Sequence, residues 1–318
     1  MSGGEPFLRK DIVDICRSVY ENCRPGILNI PTNGILCDLI PEKVEQIVKN
    51  SPGSQVIINV SFDEIGARHD EIRNVRDNFA KAKETFKRLK TLRLPNLTIG
   101  IHTVISKYNV NNIQEVYEEL NALNPDSYIT EIAEERVELG NAGRDITPSL
   151  EDYTKAIDFL IGRIKQKRHF GISGITQAFR IQYYELVKKI LREKRQVLPC
   201  YAGFASAHIA PDGNVWACCI KAESMGNLRQ ANYEFNKIWF SSEAQKIRKP
   251  IMDRKCYCPL ANASYTNMLC SYRTLIVIMK SIAERKLKKI FWKISCAALI
   301  IYFPFHEMMQ MTFTDAKK

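Results

Sequence analysis

The chain has 318 residues, ten of them cysteine, and a formal net charge of +11 from 46 Lys and Arg against 35 Asp and Glu. With 45% hydrophobic residues and no long low-complexity segment it can bury a core, which excludes a disordered or fibrous protein. The positive balance suits an anionic partner, but much of it sits in helical runs such as KAKETFKRLK and AERKLKKIFWK. No interleaved basic and aromatic pattern accompanies it, so nucleic acid is not expected.

The opening MSGGEPFLRK reads as a turn that follows a strand and leads into a helix, not as a secretory signal. The expectation is a cytoplasmic protein whose start is either unusual or placed too late. Ile12, Val13, Ile15, Cys16 and Val19 recur at helical spacing and predict a helix over 11–22. GILNIPTNG predicts a strand ending in a Thr32-Asn33-Gly34 turn, and 41–50 a second helix. QVIINVSFDE has the pattern of a buried parallel strand whose carboxyl end opens into a site. One long charged helix is expected over 71–92, a strand over 97–105, a helix over 111–123 and a strand over 127–133. This alternation predicts βα units with right-handed crossovers, hence an α/β sheet or part of a barrel.

Beyond Gly140, 150–168 and 172–194 read as two bridging helices. Residues 203–219 have hairpin character around Pro211-Asp212-Gly213-Asn214, and 234–247 reads as one short helix anchored by Trp239. The apolar run Ile290 to Phe303 follows the basic run Arg285 to Lys289 and stops at Pro304. It is too short for a membrane span and suits a buried helix or weak peripheral contact with an anionic membrane.

Gly3-Gly4-Glu5-Pro6 combines backbone room with one carboxylate, and Thr32-Asn33-Gly34, Ser61 with Asp63, and His102 to Asn109 also fall near strand ends. In parallel strands these groups converge on one rim. Cys200, Cys218, Cys219, Cys256, Cys258 and Cys270 crowd the carboxyl-terminal third. Thiolates at turns and short strands, without a secretory signal, point to a soft metal or an iron-sulfur cluster rather than to disulfides. Four of them suit a [4Fe-4S] cluster or structural zinc, and the lack of CxxC pairs favours the cluster.

GGEPFLRKDIVDIC, TNG, and SFDE with HDEIR resemble the core of the radical S-adenosylmethionine (radical SAM) superfamily. CYAG, IAPDGNVWACC, MGNL, IW and CYC resemble the auxiliary-cluster domain of its SPASM/twitch group, so that the likeness runs over roughly residues 2–270. The resemblance implies an incomplete radical SAM-type partial (βα)6 barrel followed by a small cysteine-rich α+β auxiliary-cluster domain. The expected division is 1–145 for the barrel, 146–198 for a helical bridge, 199–272 for the cluster domain and 273–318 for a basic and apolar tail.

By the same resemblance, Gly3, Gly4 and Glu5 receive the amino group of S-adenosyl-L-methionine, Ser61 and Asp63 lie near its ribose, and Asn33 and Asn109 line the same pocket. His102 reads as a core histidine and stays outside this set. Cys200, Cys218, Cys256 and Cys258 are the expected ligands of an auxiliary [4Fe-4S] cluster, with Cys219 or Cys270 as substitutes. The family's CxxxCxxC motif precedes the glycine turn, where this sequence has only Met1 and Ser2; the catalytic cluster, the first strand and most of the second are therefore expected only in a fuller-length form. The implied activity is reductive cleavage of the cofactor to a 5′-deoxyadenosyl radical that abstracts hydrogen from a peptide or small molecule, with flavodoxin or ferredoxin as reductant. The alternative is a non-catalytic iron-sulfur or zinc-binding fragment.

Overall fold

Alternation of apolar and polar side chains along four short strands builds the larger part of the molecule. The computed structural model describes residues 3–167 and 171–283. After α1 (Ile12–Cys23), the strands β1 (Ile27–Thr32), β2 (Gln55–Ser61), β3 (Leu97–Ile105) and β4 (Ser127–Ile132) form one parallel sheet in the order β1-β2-β3-β4. Between them run α2 (Leu39–Lys49), then α3 (Gly66–Arg73) with α4 (Asn78–Thr91), then α5 (Ile113–Asn121). This is the α/β arrangement that the repeated units predict.

One face of the sheet presents Leu28, Ile30, Val56, Ile58, Val60, Ile99 and Ile101, all buried against Ile40, Val44 and Ile47 of α2 and Phe86 and Leu89 of α4. Each such side chain contributes about 2 kcal/mol through burial. The other face is largely polar. Gln55, Asn59 and Ser61 alternate with the apolar residues of β2, and Thr98, His102, Ser127 and Glu131 continue the same face on β3 and β4. A Cβ on Gly100 would lie 2.2 Å from Asn59 Oδ1 and 2.5 Å from Ser127 Oγ. The missing side chain is what lets both neighbours lean across β3.

The helix expected over 71–92 is two helices. Asn74 and Asp77 take left-handed φ values of 51° and 59°, which asparagine and aspartate tolerate best after glycine. The Asp70 carboxylate then accepts hydrogen bonds from the backbone N–H of Asp77 and of Phe79, both at 2.8 Å. Tertiary and local capping override the continuous helical pattern here.

A second core forms where α6 (Leu150–Gln166) and α7 (Gly171–Glu193) pack beside β4, around Tyr117, Tyr153, Tyr183 and Tyr184. Helix α7 covers the edge of β4. Arg180 Nη1 donates to the Tyr128 carbonyl at 2.8 Å, and Thr130 Oγ1 donates to the Tyr184 hydroxyl at 2.8 Å.

The remaining part is smaller and mixed. The expected hairpin is β5 (His208–Ile209) against β6 (Asn214–Trp216), and β7 (Ser224–Asn227) adds a third antiparallel strand. The helix expected over 234–247 is again two, α8 (Phe235–Trp239) and α9 (Ser242–Met252), because Ser241 is extended and its side chain accepts from Ala244 N at 3.1 Å. Then follow α10 (Ala261–Leu269) and a helical stretch over 272–283. Among the described residues no helix is long and apolar enough to cross a membrane. The run Ile290 to Phe303, and with it the expected membrane contact, lies outside the described residues.

Replacing Asp70 by alanine removes the acceptor that starts α4. The expected loss is about 1 kcal/mol of unfolding free energy in a denaturant titration, and less for Asp70→Asn, which keeps an acceptor.

Candidate functional site

The glycine turn is held on the end of β1 by one carboxylate. Thr32 Oγ1 donates to Glu5 Oε1 at 2.9 Å, the Asn33 N–H donates to Glu5 Oε2 at 2.7 Å, and the Phe7 N–H donates to Oε1 at 3.1 Å. A carboxylate offers about four lone-pair positions, so one direction on Oε2 stays open. Gly3 and Gly4 are exposed, and a Cβ on either would meet nothing within 4 Å. Asn33 is committed to its own turn, its Oδ1 accepting from Ile35 N at 3.0 Å. Gly34 closes that turn at φ +74°, where a Cβ would strike the α4 backbone at Ala82 Cα, 2.8 Å away.

At the end of β2 the predicted residues divide. Ser61 stands on the polar face in register with His102. Asp63 and Asn109 are 7% and 1% exposed and spend their polar atoms on the protein. Asp63 Oδ1 accepts from Val104 N at 3.0 Å and Oδ2 pairs with Arg73 Nε at 2.7 Å. The Asp63 N–H donates to His69 Nδ1 at 3.1 Å, which fixes that imidazole as neutral; burial pushes its pKa down in the same direction. Asn109 Nδ2 donates to the carbonyls of Asp63 at 2.6 Å and Val104 at 2.8 Å, and its Oδ1 accepts from Ser106 N at 2.7 Å. Gly3, Gly4, Glu5, Asn33 and Ser61 thus lie along the carboxyl ends of β1 and β2, while Asp63 and Asn109 brace that rim from within.

Among the residues that continue this face, the sequence left His102 outside the cofactor set as a core histidine and did not single out Glu131 or Glu134. His102 is on the polar side of β3, with Nε2 3.6 Å from Glu131 Oε1. Just past β4, Glu134 is 8% exposed; Arg136 Nη2 donates to its Oε2 at 3.1 Å, and Oε1 has no hydrogen-bond partner. Burial pushes the Glu134 carboxyl up to about 7 against the opposing pull of Arg136. The period-2 alternation of SYITEI was the available signal, because it puts Glu131 opposite the helix-facing residues.

The cysteines require a correction. Cys200 is near enough to Cys218, Cys256 and Cys258 to raise each of their thiols. Yet among the described residues no group of three or more His, Cys, Asp or Glu side chains is arranged to hold a metal ion. The expected [4Fe-4S] site on Cys200, Cys218, Cys256 and Cys258, and the zinc alternative, are therefore not borne out, nor are the substitutes Cys219 and Cys270. The physical reason is packing. Cys200, Cys218 and Cys256 lie against Ala202, Val215, Ala217 and Ile251, while Cys258 and Cys219 lie against Leu260 and Ala263. The cleft lined by Cys200, Cys256 and Cys258 measures about 30 Å³, room for one or two waters. Desolvation, the largest influence on each, pushes Cys218, Cys256 and Cys258 up and Cys219 up to about 12.

Asn109→Ala leaves two carbonyls and one N–H of the rim unpaired, with an expected cost of about 3 kcal/mol in equilibrium unfolding. Glu134 gives a pH signature. Its carboxyl ionises near 4.5 when unfolded and near 7 when folded, so its contribution is fully present below 4.5 and is lost as pH rises through 7. The loss is of the order of 3 kcal/mol, and Glu134→Gln should flatten stability across that window.

Comparison with known proteins agrees with this geometry. Residues 1–120 match the radical SAM superfamily, and residues 200–259 match the SPASM iron-sulfur cluster-binding domain. Among curated proteins, an AdoMet-dependent heme synthase of Methanosarcina barkeri is 26% identical over 260 residues, covering 79% of this chain and 70% of that protein. The antilisterial bacteriocin subtilosin biosynthesis protein AlbA of Bacillus subtilis is 23% identical over 272 residues, 81% of this chain and 55% of its own length. Among solved structures, native anSMEcpe with bound AdoMet and the Cp18Cys peptide superposes with a TM-score of 0.54 at 14% identity, covering 79% of this chain and 69% of that one. Streptococcus suis SuiB bound to its precursor peptide SuiA gives a TM-score of 0.51 at 15% identity, covering 77% and 54%. The matched order, a partial parallel barrel and then a small antiparallel domain, is the order of the fold described above. Residues 1–120 therefore carry a radical SAM superfamily domain, and residues 200–259 a SPASM domain that follows it.

Proposed function

We propose that this chain binds S-adenosylmethionine along the carboxyl ends of β1 and β2 and receives a peptide on the polar face of the sheet beside it. The observation that carries the reading is the Glu5 carboxylate. It ties the two exposed glycines to the end of β1 through Thr32 and Asn33 and keeps one acceptor direction open for an ammonium group. Gly3 and Gly4 leave the main chain accessible to the cofactor's carboxylate, and Ser61 offers a hydroxyl to the ribose on the adjacent strand. Asp63 and Asn109 take part by holding that strand end in place rather than by spare polar atoms.

The peptide half of the proposal is supported by two fold neighbours whose solved forms contain peptides, and by the polar face itself. Asn59, His102 and Glu131 offer donors and acceptors there, and Glu134 adds a carboxyl that burial keeps protonated to about pH 7. Such groups recognise amide and hydroxyl functions, which suits a peptide better than an apolar substrate. The reading assigns this chain a cofactor pocket and a substrate face.

Calorimetric titration with S-adenosylmethionine tests it. Saturable binding is expected, weakened about tenfold or more by Glu5→Ala, the scale of losing one charge-assisted hydrogen bond. Ser61→Ala should weaken it severalfold, and S-adenosylhomocysteine should compete. Absence of saturable binding, or an affinity indifferent to Glu5, sinks the proposal.

A further inference from the structure

The helical stretch over 272–283 leaves an apolar stripe open to solvent. Tyr272, Ile276 and Met279 are 67%, 50% and 65% exposed, and their spacing puts them on one side of a helix. Ala283 continues the stripe and is exposed as well. The opposite side is the one that packs on the protein. Ile278 is buried there, and Thr274, Leu275, Ser281 and Ile282 are half-buried. The helix thus already has its inward face, and the stripe is a second, outward one.

Cations flank this stripe. Arg273 and Lys280 are both exposed and fall on the same border of it. Arg273 lies against the Tyr272 ring, its Nε donating to the hydroxyl at 3.0 Å, and no carboxylate among the described residues pairs with it or with Lys280. In sequence the same chemistry runs on. Arg285, Lys286, Lys288, Lys289 and Lys293 face the single acid Glu284 over 284–293, and the apolar run Ile290 to Phe303 overlaps and follows them. An occupant of this surface has to supply apolar depth and negative charge side by side. Nucleic acid supplies the charge of its phosphates without the depth, and the chain's own apolar run, folded back, would supply depth without charge.

We propose that this surface, Tyr272 to Lys280 with the basic run that follows in sequence, docks the protein on an anionic lipid bilayer. Ile276 and Met279 enter at the boundary of headgroups and acyl chains, and Tyr272 stays at headgroup level with its hydroxyl outward. Arg273, Lys280 and the run from Arg285 to Lys289 meet the lipid phosphates, their stems lying along the apolar surface. The contact is peripheral, since among the described residues no helix is long and apolar enough to cross a membrane. This inference does not rest on the cofactor reading.

Co-sedimentation of the full chain with lipid vesicles tests it. At about 0.15 M salt, where exposed charges still act over about 8 Å, the chain is expected to pellet with vesicles of phosphatidylcholine mixed with phosphatidylglycerol. Partition onto phosphatidylcholine alone should be weaker by about tenfold or more, each cation at an anionic surface changing it about fivefold. Raising the salt to about 1 M, where charges reach only about 3 Å, should weaken binding to the mixed vesicles by a similar factor. Two variants separate the parts. Ile276→Asp with Met279→Asp removes the apolar stripe, and Lys286→Gln with Lys288→Gln and Lys289→Gln removes most of the basic run. Each should cost about tenfold or more in partition, with an unchanged circular dichroism spectrum. Should the aspartate variant unfold, Ile276→Ser with Met279→Ser takes its place. The proposal is overturned if the full chain stays in the supernatant with mixed vesicles, if phosphatidylcholine alone serves as well, or if either folded variant binds as the parent does. Cover by the chain's own apolar run would give no pelleting and a lower unfolding midpoint in the aspartate variant. Pairing with a second copy would give no pelleting and a dimer that the same variant dissociates. Either result also overturns it.

Discussion

A single buried carboxylate, that of Asp63, holds the carboxyl rim of the sheet in register. Through its side chain it reaches β3 at Val104 and α3 at Arg73, and through its backbone it reaches His69 and Asn109. Asn109 then returns to Val104 and Ser106. Two stretches of chain, 63–73 and 104–109, meet in this network, and Asp63, His69, Ser106 and Asn109 are buried in it. Inside a protein such hydrogen bonds reinforce one another, and leaving one unmade is costly. The rim on which the glycine turn rests is therefore rigid, and Ser61 at the end of β2 inherits that rigidity.

The same sheet serves two solvents. Its helix-facing side is filled by Ile, Val and Leu, and carries most of the burial energy. Its other side carries Gln55, Asn59, Thr98, His102, Ser127 and Glu131, with Gly100 as the one position where neighbours need the space of a side chain. Ladder hydrogen bonds satisfy the backbone on both sides alike, so the polar face is free to vary in side-chain chemistry without unravelling the strands. That division of labour allows one element to be both scaffold and recognition surface.

The smaller domain is held by packing more than by polar chemistry. Arg248, 3% exposed, lies over the Trp239 ring with its guanidinium carbon 4.4 Å from the centroid and its Nε bonded to the Gly203 carbonyl. Burial pulls its pKa down, as expected where a cation trades water for a ring face. Cys200, Cys218, Cys219, Cys256 and Cys258 belong to this packing. They lie in or against clusters of Ala, Val, Ile and Leu side chains, where a thiol packs as a small hydrophobe. The contact of Val137 N with the Ile220 carbonyl at 3.1 Å carries the chain from the end of β4 to this domain.

What the sequence determined by itself was periodicity and local chemistry. The runs ILNIPT, QVIINVS and LTIGIHTVI declare strands, the heptad-like spacing from Ile12 to Val19 declares a helix, and GGEP with TNG and SFD declares a rim at strand ends, because these signals depend on neighbours a few residues apart. Tertiary structure alone decided the rest. The helix expected over 71–92 is broken by the reach of Asp70 to Asp77 and Phe79, seven and nine residues on. MGNL is a strand because β6 lies beside it. Asp63 and Asn109 turn from candidate ligands into braces because partners more than forty residues away take up their polar atoms. Among the described residues Cys200, Cys218, Cys256 and Cys258 lie in apolar packing and form no metal-holding group, because whether sulfurs converge or bury is set by how β6, the loop to α10 and α7 meet, which spacing in sequence does not encode.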